Sequence, residues 1–139
     1  MAEKDYSATP LTRKLGIRAG SRVLFVGEPA GFRGTLGDLP DGAEIRRAAR
    51  GSLDVIVVFA TQLRELRRRF GSLVRALDPA GRLWIAWPKR SANVETDLGF
   101  DIVQRVGLDA GLVDNKSASI TDDFQGVQFV VRLRDRPRR

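Results

Sequence analysis

Two hydrophobic periods alternate along this chain. The run L-D-V-I-V-V-F-A, Leu53 to Ala60, is nearly continuous and rich in β-branched and aromatic side chains. That pattern predicts a central parallel strand covered on both faces. Arg22 to Val26 has the same character over a shorter stretch. From Leu63 the period lengthens: Leu63, Leu66, Phe70, Leu73 and Leu77 recur at steps of three or four and form one apolar stripe. Arg64, Arg68 and Arg75 fall on the opposite, solvated side, and Thr61 is placed to cap this helix. Asp78-Pro79-Ala80-Gly81 reads as the turn into a strand over Leu83 to Trp87. A further helix is predicted over Val94 to Ala110, with Leu98, Ile102, Val106 and Ala110 in register and Gly111 at its end.

The flanking segments are shorter. Thr9-Pro10 opens a brief helix with Leu11 and Leu15 at i, i+4, stopped by Gly16. Gly27 to Asp38 holds four Gly and one Pro, so any helix there is weak. Glu44 to Ala48 is a second strand of poor apolar content. Asp114-Asn115-Lys116 reads as a turn, and Lys116–Thr121 with Val127–Leu133 form an antiparallel pair around the connector Asp122–Gly126. The order predicts an α/β protein: a reduced Rossmann-like, three-layer sandwich with about six strands, mostly parallel, ending in an antiparallel hairpin. We expect a flexible arm over residues 1–8, one domain over 9–133 and a basic tail over 134–139.

Composition narrows the chemistry. The 139 residues include no Cys and no His. A thiolate nucleophile, an imidazole base, Ser-His or Cys-His pairs and the usual zinc ligands are therefore excluded. No catalytic residue and no metal-ligand set is expected. The formal charge is +7, and Arg132 to Arg139 alone, with five Arg and one Asp, supplies +4. Basicity is thus mainly a property of the tail, through which nucleic acid is a candidate partner. No apolar run is long enough to cross a bilayer and no leader pattern is present, so no membrane association and a cytoplasmic location are expected.

In open α/β sheets ligands lie beyond the carboxyl ends of the strands. Gly27–Phe32, Ala60–Gln62 and Pro88–Asn93 project there. The string V-L-F-V-G-E-P-A-G, Val23 to Gly31, resembles the cofactor loop of class I S-adenosylmethionine-dependent methyltransferases, an acidic residue followed by G-x-G-x-G. The resemblance extends to the Leu53–Pro88 strand, helix and strand. It implies S-adenosylmethionine bound near Gly27, Glu28 and Gly31. Two departures argue against that cofactor, and none is assigned. Pro29 replaces the middle glycine, removing a backbone donor and adding a ring; Phe25 takes the acidic position. Arg46 and Arg47 stand where the resemblance implies a carboxylate for the ribose hydroxyls. Glu28 is the one nearby substitute.

In W-P-K-R-S-A-N, Trp87 to Asn93, the residues Lys89, Arg90 and Ser91 form a second ligand edge, suited with Thr61 to a phosphate or carboxylate. Trp84 and Trp87 are three apart on a strand, so they face opposite sides and offer no joint stacking platform. Asp97 and Asp101, at i, i+4, are favourable with a helix dipole and receive no acid–base role.

Three segments, Tyr6–Ile17, Leu77–Lys89 and Ala110–Lys116, resemble a family of short bacterial proteins known only as a domain of unknown function. That resemblance implies a compact protein and transfers no activity. The leading expectation is a non-catalytic binding or regulatory module on a degenerate methyltransferase-like fold, recognising a small anion, a nucleotide or a protein. The alternative is a minimal methyltransferase with an atypical cofactor loop. Self-association through an uncovered sheet edge or helix face is a further expectation.

Overall fold

In the computed structural model, residues 9–137 are described; the arm expected over 1–8 and the last two tail arginines, Arg138 and Arg139, lie outside them. Six strands form one sheet: β1 (Arg22–Val26), β2 (Glu44–Arg46), β3 (Leu53–Phe59), β4 (Leu77–Pro88), β5 (Leu112–Ser119) and β6 (Phe124–Val131). Their spatial order is β2-β1-β3-β4-β6-β5. The first four are mutually parallel, and β6 runs antiparallel to both β4 and β5.

Alternation along the strands builds the two cores. Val23, Phe25, Val55, Val57, Phe59 and Trp84 face one side, where α1 (Leu11–Leu15) and α2 (Phe32–Leu36) cover them. Leu24, Ile56, Val58, Leu83, Ile85 and Trp87 face the other, under α3 (Leu63–Ala76) and α4 (Phe100–Asp109). Burial on both faces is the reason the Leu53–Ala60 run lacks polar alternation. It also separates the two tryptophans, as their spacing predicted. Among the described residues no helix is long and apolar enough to cross a membrane.

Four expectations are corrected. Strand β4 starts at Leu77, not Leu83. Leu77 pairs with Leu53 and Arg82 with Val55, so Asp78–Gly81 is a bulge inside the strand, not a turn before it. Ser52 Oγ donates to Asp78 Oδ1 at 2.6 Å, tying the bulge to the entrance of β3. In β5, Asp114 pairs with Phe129 and Lys116 with Gln128, leaving Asn115 as the extra residue of another bulge. The presumed turn is thus strand.

Helix α4 begins at Phe100, six residues later than predicted. Its buried side is Val103, Val106 and Gly107, while Ile102 and Ala110 are exposed. Glycine sets that rotation: a methyl group at Gly107 would run into the Phe129 ring, so the helix settles on β6 through bare backbone. The residues ahead of it serve α3 instead. Asp97 Oδ1 accepts the Leu63 N–H at 2.8 Å, and Thr96 Oγ1 donates to the Thr61 carbonyl. Thr61 therefore does not cap α3; Gln62 holds the cap position without a side-chain bond, and Asp97 supplies the acceptor from a distant loop.

Candidate functional site

The carboxyl ends of β1, β3 and β4 carry the three expected segments, but these divide between separate clefts. At the end of β1 the chain turns at Gly27 with φ +71°. A side chain there would place Cβ 2.8 Å from the Phe59 carbonyl oxygen. Glycine is thus required by the approach of β1 to β3, independently of any ligand. Beside it lies a cleft of about 360 Å³ lined by Phe59, Ala60, Thr61, Gln62, Glu65 and Phe124. An adjoining cleft of about 320 Å³ runs past the end of β1 to Arg47, Arg69 and Ser72.

The rest of the loop is arranged differently from its sequence reading. Glu28 is engaged: its Oε2 accepts Arg33 Nε at 3.2 Å and Nη2 at 3.0 Å. The Arg33 guanidinium also lies 5.5 Å from the centre of the Phe25 ring, so Phe25 is covered by a cation. Gly31, with φ +81°, precedes α2 and has open space where a side chain would stand. Pro29 is not on the wall of the Gly27 cleft. It lines another cleft, of about 620 Å³, between α1, the start of α2 and the β5–β6 turn over residues 120–123. The proline ring lines none of the described clefts that Gly27 borders.

A cluster of four phenylalanines shapes this edge. Phe25, Phe32, Phe59 and Phe124 make successive edge-to-face contacts with centroids 5.0, 5.0 and 5.3 Å apart. They come from β1, α2, β3 and β6 and have no common sequence period. Phe59 and Phe124 present the apolar wall of the Gly27 cleft, and Glu65 its carboxylate. Glu65 also pairs with Arg68 at 2.9 Å and Arg69 at 3.7 Å.

Lys89, Arg90 and Ser91 line the largest of the described clefts, about 1110 Å³, bounded by residues 87–100 and by β5 and β6. Lys89 Nζ donates to Ser119 Oγ at 2.7 Å, and its backbone N–H donates to the Asp123 carbonyl at 2.7 Å. Arg90 opens a short 3₁₀ turn, Arg90–Ala92. Thr61, grouped with these residues on sequence, belongs to the Gly27 cleft instead. Among the described residues no group of three acidic, His or Cys side chains could hold a metal ion.

The chain matches no family model and no curated protein. Solved structures do resemble it. A SAM-dependent methyltransferase from Aquifex aeolicus aligns with a TM-score of 0.54 at 19% identity, covering 88% of each chain. Magnesium protoporphyrin IX methyltransferase from Synechocystis PCC 6803, with bound SAH, gives 0.56 at 11%, covering 88% of this chain and 78% of that one. An N-methyltransferase from Bradyrhizobium japonicum WM9 gives 0.53 at 15%, covering 88% and 97%. The fold is methyltransferase-like. At such identities the likeness extends to architecture, and the residues must speak for the chemistry.

Those residues suit an adenosyl group in some respects. The Gly27 cleft has a ligand-sized volume, apolar walls and a carboxylate at its rim. Its hydroxyl-binding carboxylate would be Glu65, at the start of α3. The end of β2 supplies none: Arg46 pairs with Glu44, and Arg47 lines the neighbouring cleft.

Proposed function

We propose that this chain is a minimal S-adenosylmethionine-dependent methyltransferase with its donor site in the cleft beside Gly27. The observation that carries the reading is the position of that cleft, at the carboxyl ends of β1 and β3 in a sheet shared with methyltransferases over most of the chain. Bound there, the sulfonium would supply an activated methyl group. The chain's own residues would bind and orient it. Gly27 keeps the backbone bare, Phe59 and Phe124 exclude water from an apolar face, and Glu65 offers a carboxylate to hydroxyls or to positive charge. Without His or Cys, rate enhancement would rest on positioning a nucleophile that needs no strong base.

A second reading has its own support: a non-catalytic module whose cleft takes a small anion, a nucleotide or a protein segment. Phe25 in place of an acid, and Arg47 with Arg69 beside the cleft, favour it. Calorimetric titration of the intact protein with S-adenosylmethionine and S-adenosylhomocysteine separates the two. Micromolar binding of either, weakened in Glu65→Gln, is the expected result. Absence of binding at millimolar ligand by folded protein would reject the methyltransferase reading and leave the module.

A further inference from the structure

The cleft at Lys89 and Arg90 differs in character from the one at Gly27. It holds about 1110 Å³, against about 360 Å³. Two cations line it, and no Asp or Glu side chain does. Neither cation is in an ion pair among the described residues: Lys89 Nζ meets only the neutral Ser119 hydroxyl. Five carboxylates lie nearby in sequence, Glu95 and Asp97 in the same loop, Asp101 in the first turn of α4, and Asp122 and Asp123 in the hairpin connector. None lines the cleft, and Asp97 is committed to the Leu63 N–H. The lining therefore presents uncompensated positive charge beside hydroxyl and amide groups.

The same cleft also exposes apolar surface. Four large hydrophobic side chains are exposed among the described residues, and three stand close together in sequence: Val94, Phe100 and Ile102, at 45%, 45% and 39%. Val94 and Phe100 line the cleft, with buried Trp87 and Leu98 behind them. Such grouping of exposed apolar residues against a concave surface marks a binding region. Its frame is fixed. The Lys89 N–H is bonded to Asp123, Asn93 sits in the left-handed region at φ 55°, and Thr96 and Asp97 anchor the loop to the start of α3.

We propose that this cleft binds an amphipathic anion, a ring system or acyl body carrying a carboxylate or phosphate head. The apolar body lies against Trp87, Leu98 and Phe100, and the oxyanion meets Lys89 and Arg90, whose charge-assisted bonds are stronger than neutral ones. The inference does not depend on methyl transfer. It describes an acceptor-sized site if the donor reading holds, and a ligand site on the module if it fails.

Titration with 2-naphthoate, 2-naphthyl phosphate, 2-naphthol and inorganic phosphate tests it, followed by calorimetry on the intact protein. Either aromatic oxyanion is expected to bind at least about tenfold more tightly than 2-naphthol or inorganic phosphate, the factor a charged hydrogen bond typically commands. Arg90→Ala and Phe100→Ser, both at exposed positions, should each weaken binding about tenfold with an unchanged thermal midpoint. Equal affinity for 2-naphthol would overturn recognition of the head, and equal affinity for inorganic phosphate would overturn recognition of the body. No binding of either oxyanion at millimolar concentration would overturn the site itself. S-Adenosylmethionine titrated into the same sample reads the other cleft separately.

Discussion

At Gly27 two demands meet in one residue: a left-handed backbone, and a carbonyl oxygen 2.8 Å from where a methyl would stand. Gly31 shares only the first, since nothing lies near its missing side chain. Gly31→Ala should therefore cost about 1–2 kcal/mol, the ordinary penalty of an L-residue in that region. Gly27→Ala should cost more, about 2–4 kcal/mol, because the β1–β3 contact must also open. Urea unfolding of the two variants checks the ranking; equal losses would show that the Phe59 carbonyl gives way freely. Both glycines were legible in the sequence as backbone-permissive positions. The reason for Gly27 was not, because it lies in a strand partner more than thirty residues away. The same distance hid Glu65 and the phenylalanines of the cleft wall, which only folding gathers.

The elements show where local pattern suffices. Strands β1 and β3 and the Leu66, Phe70 and Leu73 stripe of α3 follow from their own periodicity, because each buries the surface its sequence advertises, while Leu77, the last residue of the expected stripe, opens β4 instead. The starts of β4 and α4 do not. Asp78–Gly81 has turn composition whether it ends an element or bulges within one, and pairing with β3 decides between them. Residues 94–99 could continue a helix, but Thr96 and Asp97 bond instead to residues 35 and 34 positions earlier in the chain, at Thr61 and Leu63. Asp97 thus acts as a remote cap. Its replacement by Ala should destabilise the protein by about 0.5–2 kcal/mol, as loss of a local N-cap does. Asp101→Ala removes only a charge from the first turn of α4 and should cost less, about 0.3–1 kcal/mol. Chemical denaturation of both variants tests the assignment, and the reverse ranking would contradict it. Of the candidate edge residues, Lys89, Arg90 and Ser91 fell together as read; Thr61 went to the neighbouring cleft.

Over the whole molecule, the two borders of the sheet are built differently. The interval between β1 and β3 holds only a five-residue helix and a three-residue strand, so β2 forms an edge. Exposed Glu44 and Arg46 lie on that strand, and β5 carries a bulge at the opposite edge; both features disfavour strand pairing, so sedimentation at several concentrations is expected to show no edge-to-edge dimer. Charge is distributed just as unevenly. In the tail, Arg136 Nε donates to the Val131 carbonyl, while Arg134 is largely exposed beside Asp135. If the tail engages nucleic acid, retention should fall steeply with salt and vanish when residues 134–139 are removed. Equal retention by intact and truncated protein would reject that role. The placement of the tryptophans has a practical consequence. The chain has only two, Trp84 bonded through its indole N–H to the Leu15 carbonyl under α1, and Trp87 against the large cleft. Replacing either with Phe would leave a single tryptophan, excited selectively over Tyr6: Trp84 alone would report on the α1 layer during unfolding, and Trp87 alone on occupancy of the Lys89 cleft, with no label attached.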